Sequence, residues 1–169
     1  MNEATNMLKQ TDSAFDRAPY DAIQTDGCLW RTLLHCAELK TGKVLSAEEI
    51  KHAWHYSIPD YMEDHRHPGM DRCYIKAGGH AEIIRIGFHI LGERDVSIGY
   101  AYRYDFNTDS LIIGKPGGLE QCNYFISKCK LPTYNHFYES DQFGNCTWNP
   151  GRSYSNEWLS VRGFWIEVR

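Results

Sequence analysis

The run Phe88-His89-Ile90-Leu91-Gly92-Glu93-Arg94-Asp95-Val96-Ser97-Ile98-Gly99-Tyr100 divides the chain by hydrophobic period. Before it, Ile83, Ile84, Ile86, Gly87, Phe88 and Ile90 recur at helical spacing from about Gly79, and Gly92 stops them. After it, Val96–Tyr104 reads as a strand. Its Tyr100, Tyr102 and Tyr104, with Phe106, alternate onto one sheet face. Further strands, bounded by Gly, Pro, Asn or Asp, are expected at Ser110–Ile113, Asn123–Lys128, Asn135–Ser140, Cys146–Trp148 and Gly163–Val168. Working back toward the start, Ser46-Ala47-Glu48-Glu49 is a capping box opening a helix through Ile50, Ala53 and Trp54 toward Tyr61. An earlier helix begins at Cys28, its apolar stripe made of Leu29, Leu33 and Ala37 beside Trp30 and Leu34. Asp26 is its expected N-cap and Gly42 its stop. Residues 2–15 carry a weaker helical pattern, and Arg17-Ala18-Pro19-Tyr20 reads as an extended lead-in. Helices first and strands second predict an α+β domain, with helices packed on a mainly antiparallel sheet.

A chain of 169 residues fits one domain, and at this length roughly 70 % of the unfolded surface is buried on folding. Hydrophobic content of 42 % and aromatic content of 14 % place it among ordered globular proteins. The net charge of −4 leaves no general basic field, which disfavours nucleic acid as a partner. No apolar run approaches the roughly 20 residues needed to span a bilayer, so no membrane partner is expected. The N-terminal residues lack the pattern of a secretion signal, and a cytoplasmic location is the expectation. The six cysteines (28, 36, 73, 122, 129 and 146) contain no Cys-x-x-Cys and read as free thiols, mostly small core residues.

Cys28 differs from the other five. In Ile23-Gln24-Thr25-Asp26-Gly27-Cys28-Leu29-Trp30 the thiol sits where a Gly-containing turn gives way to a helix, at the positive end of the peptide dipoles. His136 and Asn149 follow downstream, and the order Cys, His, Asn marks a cysteine-nucleophile constellation. The strands carrying His136 and Trp148 flank the turn-rich Asp141-Gln142-Phe143-Gly144-Asn145. A turn centred between Gln142 and Phe143 sets His136 opposite Asn149, with Cβ atoms about 5 Å apart on one face. Asn149 then orients the imidazole, as the third member of a triad does. A one-residue slip breaks that pairing, and Gly144 permits one, so Asp141 and Asn145 are alternative orienters.

Gln, then Gly-Cys-aromatic at a helix start, His-Phe on a strand and Asn-Pro after the returning strand together resemble the papain superfamily. Within it the chain looks most like small bacterial peptidases akin to the leader peptidases of bacteriocin exporters, and like an uncharacterised bacterial and phage family. The resemblance spans about Tyr20 to Pro150, with residues 1–19 as an N-terminal extension. It implies a papain-like α+β fold with Cys28 as nucleophile, His136 as general base and acid, and Asn149 as orienter. It also implies Gln24 as an oxyanion-hole amide beside the Cys28 N–H. Such a donor is worth about 10²–10³ in rate. The family's glutamine usually lies further upstream than the four residues separating Gln24 from Cys28. The implied substrate is a peptide or protein, attacked through a thioester with no metal and no organic cofactor.

Blander readings stand beside this one. Cys28 is also readable as a buried helix-start thiol and His136 as a hydrogen-bonded strand histidine. The scaffold is also readable as an inactive binding module of phage or mobile-element origin, or as a transferase or deamidase using the same thioester. His52, His55, Asp64, His65 and His67 form a histidine-rich polar stretch without metal-site spacing. Lys115-Pro116-Gly117-Gly118 lacks the Gly-Lys-Ser/Thr ending of a phosphate loop. Trp148 and Trp165 read as core. Oligomeric state is not legible in the chain.

Overall fold

The computed structural model describes residues 7–64, 73–76, 78–105, 110–113, 123–130, 135–141, 143–151 and 160–168. Phe106, Cys122, His65, His67 and the Lys115–Gly118 turn lie outside them, as do the side chains of Asp64, Cys73, Cys129, Trp165 and the three strand tyrosines. The chain groups into two compact units, Met1–Asp95 and Val96–Arg169. Their boundary falls three residues after Gly92, where the hydrophobic period changes. Helices dominate the first unit and antiparallel strands the second, which makes the protein α+β.

In the first unit, α1 (Asp21–Asp26), α2 (Cys28–Thr41), α3 (Ala47–Tyr61) and α4 (Gly79–Ile90) surround an apolar core. Trp30, Leu33, Leu34, Ala37, Ile50, Ala53, Ile83 and Ile84 are all fully buried there. Three punctuation marks act as the sequence implies. Gly42 ends α2 in the left-handed region at φ 71°. Ser46 and Glu49 form the reciprocal capping box of α3, and Gly92 turns the chain after α4 at φ 89°. Gly87 lets α4 lie close against α2, since a Cβ there would stand 3.0 Å from that of Ala37. Ile86 and Ile90 are half-buried, not core as their spacing suggested.

The start of the chain departs from expectation. Residues 7–15 form turns and one short 3-10 helix, Ser13–Phe15, in place of an α-helix. Asp12 caps that helix, accepting from the Ala14 N–H at 2.9 Å. Tertiary hydrogen bonds explain the departure: Arg31 Nε donates to Leu8 O at 2.7 Å, and Gln10 Nε2 donates to Gln24 O at 3.0 Å. Residues 17–20 form a turn, closed by Tyr20 N–H onto Arg17 O, where an extended lead-in was expected. The stretch before Cys28 is itself helical, as α1. Asp26 is therefore the last residue of α1, and Gly27 caps α2 in its place. Two short strands, β1 (Met62–Asp64) and β2 (Cys73–Ile75), pair antiparallel.

The second unit is a six-stranded antiparallel sheet. Its strands are β3 (Ile98–Asp105), β4 (Ser110–Ile113), β5 (Tyr124–Lys130), β6 (Asn135–Ser140), β7 (Cys146–Trp148) and β8 (Ser160–Val168). They lie in the order β4-β3-β8-β5-β6-β7. The last strand in sequence is therefore central, between β3 and β5. Strands β6 and β7 finish one edge, and Tyr124, Ile126, Tyr138 and Trp148 are buried along the β5–β7 part.

Candidate active site

Cys28 is the first residue of α2 and is half-buried. Its placement follows from Gly27. The Gly27 N–H closes α1 by donating to Ile23 O at 3.0 Å, and its own carbonyl opens α2 by accepting from Arg31 N–H at 2.7 Å. A Cβ at Gly27 would be driven into the Ile23 carbonyl, so only glycine allows one helix to hand over directly to the next. No side chain caps α2. Cys28 therefore stands at the N-terminal, positive end of the peptide dipoles of this 14-residue helix.

His136 and Asn149 meet in the second unit. Asn149 Oδ1 lies 2.6 Å from His136 Nε2, with both residues buried. The expected face is correct but the expected register is not. Glu139 pairs with Trp148, not Cys146, and a register shift follows before Ser140 pairs with Cys146. The hairpin closes one residue later than a turn between Gln142 and Phe143 requires, at Asp141 N–H onto Asn145 O, with Gly144 in the left-handed region at φ 89°. Thr147 is then an extra residue in β7, a bulge. Together the two irregularities displace the pairing by two residues. Because side chains alternate with period two, Asn149 stays on the face of His136 as its diagonal neighbour.

The alternative orienters are occupied elsewhere. Asp141 Oδ1 accepts from the N–H groups of Phe143 and Asn145, each at 2.9 Å, and Asn145 Nδ2 donates to Asp141 Oδ2 at 3.0 Å. Burial pushes the Asp141 carboxyl up, but these bonds outweigh it and hold the group below the ordinary carboxylate range. Asp141 and Asn145 thus build the turn, and Asn149 orients the ring.

Asn149 Oδ1 also accepts from the Gly151 N–H at 2.9 Å. The Gly151 N–H needs an acceptor here and an amide nitrogen cannot accept, so this bond assigns the atom as the oxygen. The imidazole proton is then on Nε2, which places the basic lone pair on Nδ1. Burial pushes the His136 pKa below 6.5, with the Asn149 hydrogen bond countering in part, so the ring is neutral near pH 7. A neutral imidazole with one fixed tautomer is suited to accept a proton. Tyr138 supports the arrangement. Its ring lies nearly parallel to that of His136, and its hydroxyl donates to Gly144 O at 3.0 Å, clipping the turn to the strand.

Gln24 is on α1, and its amide is engaged on the side of the N-terminal segment. Nε2 donates to Asp12 O at 3.0 Å and to Asp16 Oδ1 at 2.7 Å. It would have to leave these partners before serving an oxyanion. Cys36 is buried in the core and Cys146 is half-buried. His55 Nε2 lies 2.7 Å from the Tyr20 hydroxyl, and the His52 ring lies against Tyr56. Among the described residues, no three His, Cys, Asp or Glu side chains group to hold a metal ion. Within the same limits, no helix is long and apolar enough to cross a membrane. Gly151 escaped the sequence reading, because a glycine after Asn149-Pro150 looks like ordinary turn punctuation. No family model, no curated protein and no solved structure matches this chain.

Proposed function

We propose that this chain is a papain-like cysteine peptidase or amidase, with Cys28 as nucleophile and His136 as base, acting on a peptide or protein in the cytoplasm. The observation that supports it most is the buried His136–Asn149 pair, whose Nε2···Oδ1 separation is 2.6 Å. In this reading that pair is the oriented base, and Cys28, at the start of α2, is the thiol it serves. In the proposed reaction the Cys28 proton passes to His136 Nδ1 and the sulfur adds to an acyl carbonyl carbon. The carbonyl electron pair moves onto oxygen, facing the Cys28 N–H. The C–N bond then breaks, and His136 returns the proton to the departing amine. Water adds to the thioester while His136 takes its proton, and the acid leaves as the thiol is restored.

Hydrolysis of a peptide library, combined with labelling by a thiol-directed probe, tests the reading. Cys28→Ala is expected to abolish hydrolysis and the labelling seen at low pH, and His136→Ala to lower turnover by about 10²–10⁴. Probe labelling unchanged in Cys28→Ala would remove the nucleophile. One observation favours a second reading, an inactive module of the same scaffold that binds a host protein: the Gln24 amide is already donated to Asp12 and Asp16. Cys28 alkylation with an ordinary thiol pKa of about 8.5 would support that module.

A further inference from the structure

We infer that Gly151 is a positioning residue for His136: its N–H and its missing side chain together hold Asn149 in the one amide orientation that keeps the imidazole proton on Nε2. The first part is a matter of donors and acceptors. With only His136 beside it, an asparagine amide can present either its oxygen or its nitrogen to the ring, and the ring tautomer follows the choice. The Gly151 N–H, 2.9 Å from Oδ1, permits only the oxygen at that point. Turning the amide over would set two donors against each other in a buried place, leaving both unsatisfied.

The second part is steric. A Cβ on residue 151 would stand 3.1 Å from His136 Cε1, 3.4 Å from His136 Nε2 and 3.3 Å from Asn149 Oδ1. All three are shorter than or at the edge of ordinary van der Waals contact. Two of these atoms are the ones joined by the 2.6 Å hydrogen bond. A methyl group here therefore presses on the junction between ring and amide. Glycine suits this point because of the close approach, not because of an unusual backbone angle. Asn149, Pro150 and Gly151 thus act as one short clamp, in which the third residue sets what the first can do.

The inference rests on the His136–Asn149 pair and is independent of whether Cys28 turns over a substrate. Nitrogen-15 NMR of the imidazole in the full chain reads the tautomer directly. The wild type is expected to show a protonated Nε2 and an unprotonated Nδ1. Gly151→Ala is expected to lower the Nε2–H to Nδ1–H ratio by roughly fivefold, while Asn149→Asp, which offers two acceptors, keeps Nε2–H. A folded Gly151→Ala protein with an unchanged ratio overturns the inference. Should Gly151→Ala fail to fold, amide hydrogen exchange supplies the same decision. The Gly151 N–H is expected to be protected in the wild type and to exchange at least roughly tenfold faster in Asn149→Ala. Equal rates in the two proteins overturn it. Because neither readout involves sulfur or substrate, an inactive Cys28 leaves both results intact.

Discussion

Folding carries the His136 imidazole from water to 8 % exposure, and burial lowers its pKa more than the Asn149 hydrogen bond raises it. The unfolded chain keeps an ordinary histidine pKa of about 6.5. Below that pH the unfolded state takes up a proton that the native state resists. The contribution of His136 is therefore complete above about pH 6.5 and is lost as pH falls through the depressed native value. Urea midpoints are expected to fall between pH 7 and pH 5.5, and to fall less in His136→Gln, which retains an N–H for Asn149 but does not titrate. Equal slopes in the two proteins would contradict this account of the ring. Asn149→Asp reverses the sign: a carboxylate beside the ring raises its pKa, so the added stability lies on the acid side and fades as pH rises through the raised value. At this scale the His136–Asn149 pair was legible because both side chains flank a strong turn signal, Asp141 to Asn145. Gly151 was not, since its role lies in a backbone N–H and an absent atom.

Element boundaries followed the same division between local and tertiary control. Capping at Ser46 and Glu49, the Gly42 stop, and strands β4, β6 and β7 depend on neighbours in sequence, and each stands where the chain implies. Ser46→Ala is expected to lower stability by about 1 kcal/mol, measured by urea unfolding. The N-terminal segment was misread because its course is set by Arg31 and Gln10 hydrogen bonds to distant backbone carbonyls. The hairpin register was misread because Gly144 adopts φ 89° and Thr147 enters as an extra residue. Thr147 is tied down there, its hydroxyl donating to Glu139 Oε1 at 2.6 Å. Gly144→Ala forces a side chain into the left-handed region and is expected to cost about 1–2 kcal/mol. A loss under a few tenths would argue that this turn relaxes freely.

Across the molecule, the change of hydrophobic period at Gly92 and the unit boundary at Asp95 mark the same division, so the α+β class was open to reading. The interior of the first unit was not. Arg31 and Glu38 form an ion pair at 2.6 Å with neither side chain exposed, and Glu38 also accepts from Leu45 N–H at 3.0 Å. Burial raises the Glu38 pKa, but His35, Arg31 and the Leu45 amide together hold it below 4.5. No periodicity argument places an arginine in a core, because its partners come from residue 8 and from the next turns of α2. Arg31→Met leaves the carboxylate buried without its cation and is expected to cost about 3–5 kcal/mol in urea unfolding. A near-neutral result would mean that water already reaches Glu38.

The proposed activity requires the Cys28 thiol to depend on the His136 imidazole. The rate of Cys28 alkylation as a function of pH, in wild type and His136→Ala, measures that dependence most directly. Fast alkylation below neutral pH is expected in the wild type, with the curve displaced upward by at least about one pH unit in His136→Ala. Superimposable curves, both with a midpoint at about 8.5, would contradict it.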